Sequence, residues 1–328
     1  MMQFGPSPAS AIPKPASWPI WLLLTLAAAA IGYWMHSRGL GYYLSMISRM
    51  MIYGLAACSL NLILGYGGLV SFGHAAFVGV GAYTVGILIT EGMPNGWLGF
   101  GLAMAVSALL ALIIGAISLR TKGVYFIMIT LAFAQMLYYL FVSLKAYGGD
   151  DGLSLASRSV LGVAGHALDL KDPFHWYYLC LALLLAVLFL FNRIMGARFG
   201  RALEAMKENA TRMEALGFAT FGHQLAAFVI AGAIAGLAGA LLANHAGFVS
   251  PKLMHWTQSG MLMVMVIVGG AGHRYGGVIG AVVLLGLEEL MAEFTQYSHL
   301  GVGLVLLAVV LLAPRGLARL FPARGGAQ

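Results

Sequence analysis

Ionisable side chains inside apolar stretches are the residues of this sequence best placed to do chemistry. His74 follows Ser71 and Gly73, and a helix beginning near Ser71 would point its N-terminal amides at any nearby carboxylate. The alternative is that His74 only hydrogen-bonds a neighbouring helix and never meets a ligand. Glu288 and Glu289 lie in a later apolar stretch, where an uncompensated carboxylate costs about 2.5 kcal/mol or more. We expect both to face protein, water or the membrane boundary, and a proton relay is the second interpretation.

The sequence contains no motif for bond-breaking chemistry. It has no GxxxxGK[ST] phosphate loop, no HExxH zinc motif, no paired cysteines at metal spacing and no GxSxG nucleophile turn. Cys58 and Cys180 both fall in apolar runs, which favours packing over a disulfide or a metal site. We therefore predict that the chain is not an enzyme, has no catalytic residue, metal or cofactor, and does not hydrolyse ATP itself.

Polar and small residues within the apolar runs are the candidates for a solute pathway. For Asn61 and Thr84, a hydrogen bond that holds two helices together is the simpler explanation. The predicted pathway residues are Asn61, Gly67, Ser71, Gly73, His74 and Thr84.

Composition defines the setting of these residues. Hydrophobic residues make up 61% of the chain and charged residues only 9%, whereas about 25% of an ordinary soluble domain is charged. This balance predicts an all-α, polytopic membrane protein. The net charge of +7 fits cytoplasmic loops beside anionic lipid headgroups, so we expect membrane lipid and not nucleic acid as a partner.

About ten apolar stretches, with eight to ten as the plausible range, are long enough to span a bilayer. The predicted spans are 18–34, 43–64, 71–90, 97–119, 123–144, 176–192, 223–245, 259–271, 276–294 and 299–313. They leave a flexible cytoplasmic leader at 1–17, a transmembrane domain at 18–314 and a cytoplasmic tail at 315–328. Most of the 18 lysines and arginines then lie on the side of both termini, which predicts a plasma-membrane protein with cytoplasmic termini.

Two glycine-rich clusters, 65–83 and 269–281, are denser than helix packing requires. They are typical of broken or re-entrant helices, whose free backbone groups are tolerated only beside protein or a water-filled cavity.

The segment 193–223 is the long polar passage between apolar runs, and it cannot lie in lipid. Its apolar residues recur at helical spacing, with charges on the opposite face. They are Leu203, Met206, Ala210, Met213 and Leu216. We predict two short helices with a bend near Asn209 and a left-handed end at Gly217. One interpretation is a helix lying on the membrane surface, and the other is a docking element whose apolar stripe enters a partner's groove.

The longest predicted external loop, 145–175, contains GGDDGLSL. Its glycines favour tight turns, and Asp150 and Asp151 either bind a partner or keep the loop solvated.

Five separated segments of the chain carry a family resemblance. They are LNLILGYGGLVSFGHAAFVGVGAYT, GGDDGL, EALGF followed by LAAFVIAGAIAGLAGAL, SPKLMHWTQSG through VGG, and APRGL. In this order they resemble the permeases of branched-chain amino acid ABC transporters, LivM branch, over residues 40–317. The resemblance implies a multi-pass permease of the bacterial inner membrane that imports leucine, isoleucine and valine.

The resemblance also implies partners for the chain. They are two ABC ATPase subunits, a second homologous permease and a periplasmic or lipid-anchored solute-binding protein, which Asp150 and Asp151 would face. In such importers a cytoplasmic helix and glycine, the EAA element, dock on the ATPase, and Glu214, Ala215 and Gly217 match that pattern. The residues predicted to couple to the ATPase are Ala202, Leu203, Met206, Lys207, Asn209, Met213, Glu214, Ala215 and Gly217.

Three positions depart from the family pattern. Gly277 stands where proline is common, Met261 where an acidic residue is common, and Tyr147 where threonine is common. Sister systems resembling this one carry urea, short amides or other amino acids, so the solute stays open. An ion-coupled secondary transporter is the rival class, and Glu288 and Glu289 are the feature that favours it.

Overall fold

The computed structural model describes residues 18–155, 157–163, 166–168, 172–294, 298–312 and 316–317. The predicted leader, 1–17, lies outside these residues, as does most of the predicted tail, 315–328.

The described residues form twelve α-helices. They are α1 (Trp18–Ser37), α2 (Gly41–Asn61), α3 (His74–Thr90), α4 (Gly96–Ser118), α5 (Val124–Ser143), α6 (Pro173–Gly196), α7 (Arg198–Glu208), α8 (Ala210–Ala215), α9 (Thr220–Ala246), α10 (Trp256–Gly269), α11 (Gly276–Phe294) and α12 (Ser298–Leu312). A π-helical turn, Leu62–Tyr66, continues α2. Short 3-10 turns occupy Lys145–Tyr147 and Pro251–Met254.

The predicted all-α, polytopic architecture is confirmed. Each predicted span falls on one helix, from α1 to α6 and from α9 to α12. Five helices are long and apolar enough to cross a membrane among the residues described, namely α2 with its π turn, α4, α5, α6 and α9. Local signals set their starts: the Asn95 side chain accepts hydrogen bonds from the first amides of α4, and Asp172 caps α6 just before Pro173.

The centre of the bundle is α9, which packs closely against α3 and α4. Glycine makes this approach possible. A Cβ at Gly239 of α9 would lie 1.8 Å from the Val78 carbonyl oxygen of α3, and one at Gly81 would lie 2.1 Å from the Gly236 oxygen. Since no side chain intervenes, the backbones of the two helices touch.

Two small antiparallel sheets were not predicted. β1 (Leu153–Ser154) pairs with β4 (Phe248–Val249), and β2 (Leu161–Val163) pairs with β3 (His166–Leu168). Strands of two or three residues are too short for an alternating pattern to mark them in the sequence.

The connections between helices separate to two ends of the bundle. One end, which we call the α7–α8 end, also carries the turn 270–275, since Lys207 of α7 and Gly272 both contact Gly65. The opposite end carries the paired strands β1 and β4 and the bridge between Asn95 and Val160. The predicted cytoplasmic segment 193–223 and the β1 part of the predicted external loop therefore lie at different ends, and which end faces the cytosol stays a prediction.

Candidate functional site

The predicted bend in the polar segment is confirmed. α7 ends at Glu208 and α8 begins at Ala210, with Asn209 between them in an extended conformation at φ −157°. The Asn209 side chain then accepts a hydrogen bond from the Arg212 amide at 2.9 Å. Asn209 therefore both interrupts the first helix and caps the second.

The predicted left-handed end of the segment is also confirmed. Gly217 has φ +85°, and the amides of Gly217 and Phe218 bond back to the carbonyls of Glu214 and Met213. This is a Schellman ending, in which glycine supplies the conformation that other residues adopt at a cost. The Thr220 hydroxyl donates to Glu214 Oε1 at 2.8 Å and joins α8 to α9.

The apolar stripe of the segment faces its own chain. Leu203 is fully buried, and Met206 and Met213 are 3% and 8% exposed. Leu216, at the end of the stripe, is instead 67% exposed. Leu203 packs in the main core of the bundle, whereas Met206 and Met213 form a separate small cluster with Ala202 between α7 and α8. The buried part of the stripe therefore holds the segment together and is not available to enter a partner's groove. Glu214, Ala215 and Gly217 remain exposed.

A direct hydrogen bond links this segment to the end of α2. Lys207 Nζ donates to the carbonyl oxygen of Gly65 at 2.7 Å. Gly65 lies in the π turn, where backbone carbonyls at a helix end lack intrahelical donors and attract cations. Gly68 also packs on the Lys207 side chain. α7 and the end of α2 are therefore in direct contact.

The same π turn is tied to the glycine-rich turn between α10 and α11. Asn61 Nδ2 donates to the His273 carbonyl at 2.8 Å, and the Gly272 amide donates to Asn61 Oδ1 at 3.0 Å. A Cβ at Gly65 would lie 2.4 Å from the Gly272 nitrogen. Asn61, a predicted pathway residue, thus acts as a fully buried brace between α2 and this turn.

Two short helices adjoin the glycine-rich clusters: α3 begins within the first cluster, at His74, and α10 ends at Gly269, where the second cluster begins. α3 has 17 residues and α10 has 14, or about 26 and 21 Å against a hydrocarbon thickness of about 30 Å. Their first turns meet: the Ala75 amide at the start of α3 donates to Ser259 Oγ of α10 at 2.9 Å. Sequence reasoning did not identify Ser259, because nothing local distinguishes it from other hydroxyls in apolar helices.

Of the remaining predicted pathway residues, Ser71, Gly73 and His74 lie at the start of α3, whereas Gly67 follows the π turn and Thr84 lies ten residues into α3. Ser71, Gly73 and His74 are buried, and His74 Nε2 lies 2.8 Å from Ser59 Oγ of α2. Thr84 bonds the Val80 carbonyl of its own helix. A narrow cavity of about 20 Å³ adjoins Ala75 and Gln258, which is room for a water molecule and not for a larger solute. This space is therefore closed to larger solutes in this conformation, and a solute path beside Ala75 stays a prediction.

The opposite end of the bundle presents the predicted acidic pair. Asp150 and Asp151 are exposed at the tip of a turn whose Gly148 and Gly152 both have positive φ. The turn is held in place because Gly152 lies against Phe248 and Val249 of β4. Near it, the Tyr147 hydroxyl donates to Glu91 Oε1, and this carboxylate raises the pKa of Tyr147.

Comparison with known proteins covers nearly all of the described helices. Residues 42–314 match a family described as the permease component of the branched-chain amino acid transport system. The chain is 31% identical to the high-affinity branched-chain amino acid transport system permease protein LivM of Salmonella typhimurium, over 91% of this chain and 74% of the relative.

Two further relatives are more distant. Identity is 26% to the permease protein LivH of the high-affinity branched-chain amino acid system of Escherichia coli, over 81% of this chain and 90% of that protein. Identity is 25% to the autoinducer 2 import system permease protein LsrC of Yersinia pestis, over 83% of this chain and 79% of that protein. No solved structure matches the chain.

Proposed function

The chain belongs to the family of branched-chain amino acid transport permeases, and from that premise we propose that it is the membrane-spanning subunit of an ATP-binding-cassette importer. It moves leucine, isoleucine and valine across the bacterial plasma membrane, with ATP hydrolysed by partner subunits. The observation that carries the proposal is the α7–α8 segment: a charged helix pair, anchored by its own apolar stripe, with Lys207 bonded to the end of α2.

We propose that one subunit of a cytosolic ATPase pair docks on the exposed surface of this segment. Glu214, Ala215 and Gly217 provide the contact, and the exposed side chains of Leu216 and Phe218 lie beside them. The buried residues serve coupling indirectly: Leu203 fixes the segment to the bundle, and Ala202, Met206 and Met213 hold α7 against α8. In this arrangement the α7–α8 end of the molecule faces the cytosol.

Motion of the ATPase pair would reach the membrane helices through three successive contacts. The first is the bond from Lys207 to Gly65. The second is the backbone contact between Gly65 and Gly272, and the third is the Asn61 brace. Displacing α7 would thereby move the turn between α10 and α11. Because α10 meets α3 at its first turn, the closed path beside Ala75 would open.

A second, related permease and a solute-binding protein complete the proposed importer. Similarity to both LivM and LivH, two differently named permease proteins, supports a pair of unlike permeases. We place the binding protein at the opposite end of the bundle, over Asp150 and Asp151. A zwitterionic solute cannot cross hydrocarbon unaided, so its release into a protein-lined path is a physical requirement.

The alternative function is import of a different solute by a sister system. Similarity to LsrC of an autoinducer 2 import system favours keeping this alternative, because relatives with the same architecture serve another solute. Urea, short amides and other amino acids are the solutes to compare.

Purification of the chain from native membranes tests the proposal. We expect an ATPase pair and a second permease to copurify, and vesicles containing the complex and its binding protein to take up leucine only with ATP. Uptake by this chain alone, driven by an ion gradient, would identify a secondary transporter. Reaction of Lys207 with an impermeant amine reagent from outside the cell would exclude a cytosolic docking site.

A further inference from the structure

A polar cavity lies between α2 and α11, remote from the coupling segment. Its lining residues follow helical spacing on two facing helices, Met46, Arg49 and Met50 on α2 and Leu285, Glu288, Glu289 and Ala292 on α11. Its volume is about 270 Å³, close to the lower limit of about 300 Å³ for small-molecule sites. The space therefore suits a ligand smaller than a typical drug.

The charged residues of this cavity lie well within the two helices. Arg49 is eight residues into α2, or about 12 Å from its start, and Glu289 is five residues, about 8 Å, from the end of α11. At the centre of a bilayer a charge facing lipid costs about 2.5 kcal/mol or more, and Arg49 is exposed on the surface of this chain. The cavity must therefore be closed off from lipid by protein or be filled with water.

Arg49 and the two glutamates line the same cavity without forming a close ion pair. Within the described residues, no ion pair of 4.0 Å or less joins Arg49 to Glu288 or Glu289. The Arg49 guanidinium instead lies 5.8 Å from the centre of the Tyr53 ring, and Glu289 accepts a hydrogen bond from the Tyr42 hydroxyl. Opposite charges held apart across a cavity match a ligand that carries both.

We infer that this cavity binds the zwitterion of an aliphatic α-amino acid, an inference that rests on the proposed function. Arg49 binds the carboxylate, Glu288 and Glu289 bind the ammonium group, and Met46, Met50 and Leu285 contact the side chain. Methionine suits this role because its flexible thioether adapts to differently branched aliphatic groups. One cavity can thus accept leucine, isoleucine and valine alike.

The position of the cavity fits an early step of transport. The start of α2 lies at the end opposite α7 and α8, where Gly41 approaches Pro173 in the first turn of α6. The acidic turn at Asp150 and Asp151 belongs to the same end. A solute released there reaches the cavity before the closed constriction beside Ala75.

Thiol labelling in the complete transport complex tests this inference. Ala292 is exposed and lines the cavity, whereas the native Cys58 and Cys180 are buried, so Ala292→Cys is the accessible thiol. We expect leucine to slow labelling of Ala292→Cys by a maleimide at least about threefold. Isocaproate, which lacks the ammonium group, and 3-methylbutylamine, which lacks the carboxylate, should not slow it.

Charge removal provides the second half of the test. In the Ala292→Cys background, Arg49→Gln and Glu288→Gln should each raise the leucine concentration for half protection about tenfold or more. Glu293→Gln is the matched control: it removes the same charge from the same helix outside the cavity, and protection should be unchanged.

Three results would overturn the inference. They are absence of protection by leucine, equal protection by all three compounds, and loss of the partner permease from the Arg49→Gln complex, which would identify a contact between permeases. The proposed function is judged separately by uptake in the same vesicles. Normal ATP-driven leucine uptake, with no protection of Ala292→Cys by leucine, rejects the cavity inference and leaves the proposed function intact. Failure of the wild-type complex to import any of the three amino acids rejects the proposed function.

Discussion

Replacing Gly239 by alanine should separate α9 from α3. The added Cβ would lie 1.8 Å from the Val78 carbonyl oxygen, and that carbonyl would have to retreat by about 1.6 Å to reach an ordinary contact of 3.4 Å. The atom in the way belongs to the backbone of a helix, so no side-chain rotation relieves the overlap. We expect a cost at or above the upper end of the usual overpacking range, about 3 kcal/mol.

Gly222→Ala is the control in the same helix. Nothing lies within 4 Å of a Cβ at Gly222, and alanine stabilises an exposed helical position by about 0.5–1 kcal/mol relative to glycine. The two substitutions add the same methyl group to α9, and their predicted effects have opposite signs. The difference isolates the close approach of α9 to α3 from the helix propensity of alanine.

Thermal unfolding in detergent, followed by loss of the monodisperse peak in size-exclusion chromatography, measures both variants. Gly239→Ala should lower the apparent midpoint by at least about 5 °C, and Gly222→Ala should leave it unchanged or slightly higher. A Gly239→Ala midpoint equal to that of the parent would refute the described contact between the α9 and α3 backbones.

Four further variants test coupling, delivery and the brace. Lys207→Met removes the hydrogen bond to the end of α2, which contributes about 1 kcal/mol for a charged donor at the surface. It should lower leucine uptake per ATP hydrolysed about fivefold. The control Arg212→Met should leave this ratio unchanged. Gly217→Val forces a β-branched residue to φ +85° at a cost of about 1–2 kcal/mol. Because this distorts the end of α8 proposed for docking, the binding protein should no longer stimulate ATPase activity. Gly217→Asn should be much less affected, since asparagine tolerates this conformation. Charge reversal at Asp150 and Asp151 together should raise the concentration of loaded binding protein needed for half-maximal uptake. Asn61→Leu leaves the Gly272 amide and the His273 carbonyl without their partner. It should lower the free energy of unfolding by about 2 kcal/mol or more, and with it the unfolding midpoint.

Each of these has a result that contradicts it. Equal uptake per ATP in Lys207→Met and the parent would remove the α7 to α2 link from the mechanism. Normal stimulation in Gly217→Val would count against docking at the end of α8. Unchanged delivery kinetics would retire the acidic turn as a binding-protein contact, and an Asn61→Leu variant as stable as the parent would show that the brace is dispensable.

Much of the architecture could be predicted from local patterns in the sequence. A run of about 20 apolar residues in lipid has to satisfy its own backbone hydrogen bonds, so span and helix coincide. The bend at Asn209 and the left-handed end at Gly217 were predicted for the same reason, since capping depends on residues only a few positions apart. The same argument explains the failure to predict β1 and β4, which pair Leu153 with Val249 across distant parts of the chain.

The orientation of the amphipathic segment could not be predicted from its periodicity. Periodicity identifies an apolar face and does not say what covers it. The tertiary structure buries Leu203 and Met206 in the chain itself and leaves Leu216 exposed, so only the Leu216 end of the predicted stripe belongs to the surface proposed for docking.

The sequence by itself determined that this chain is a polytopic helical membrane protein with one charged helix pair and two interrupted glycine-rich segments. Composition and short-range spacing are sufficient for those features. Only the tertiary structure decided that Lys207 meets Gly65, 142 residues away, and that Arg49 shares a cavity with Glu288 and Glu289. These pairings depend on how the helices pack, and the energy that selects them comes from close contacts such as Gly239 against Val78, which no local pattern records.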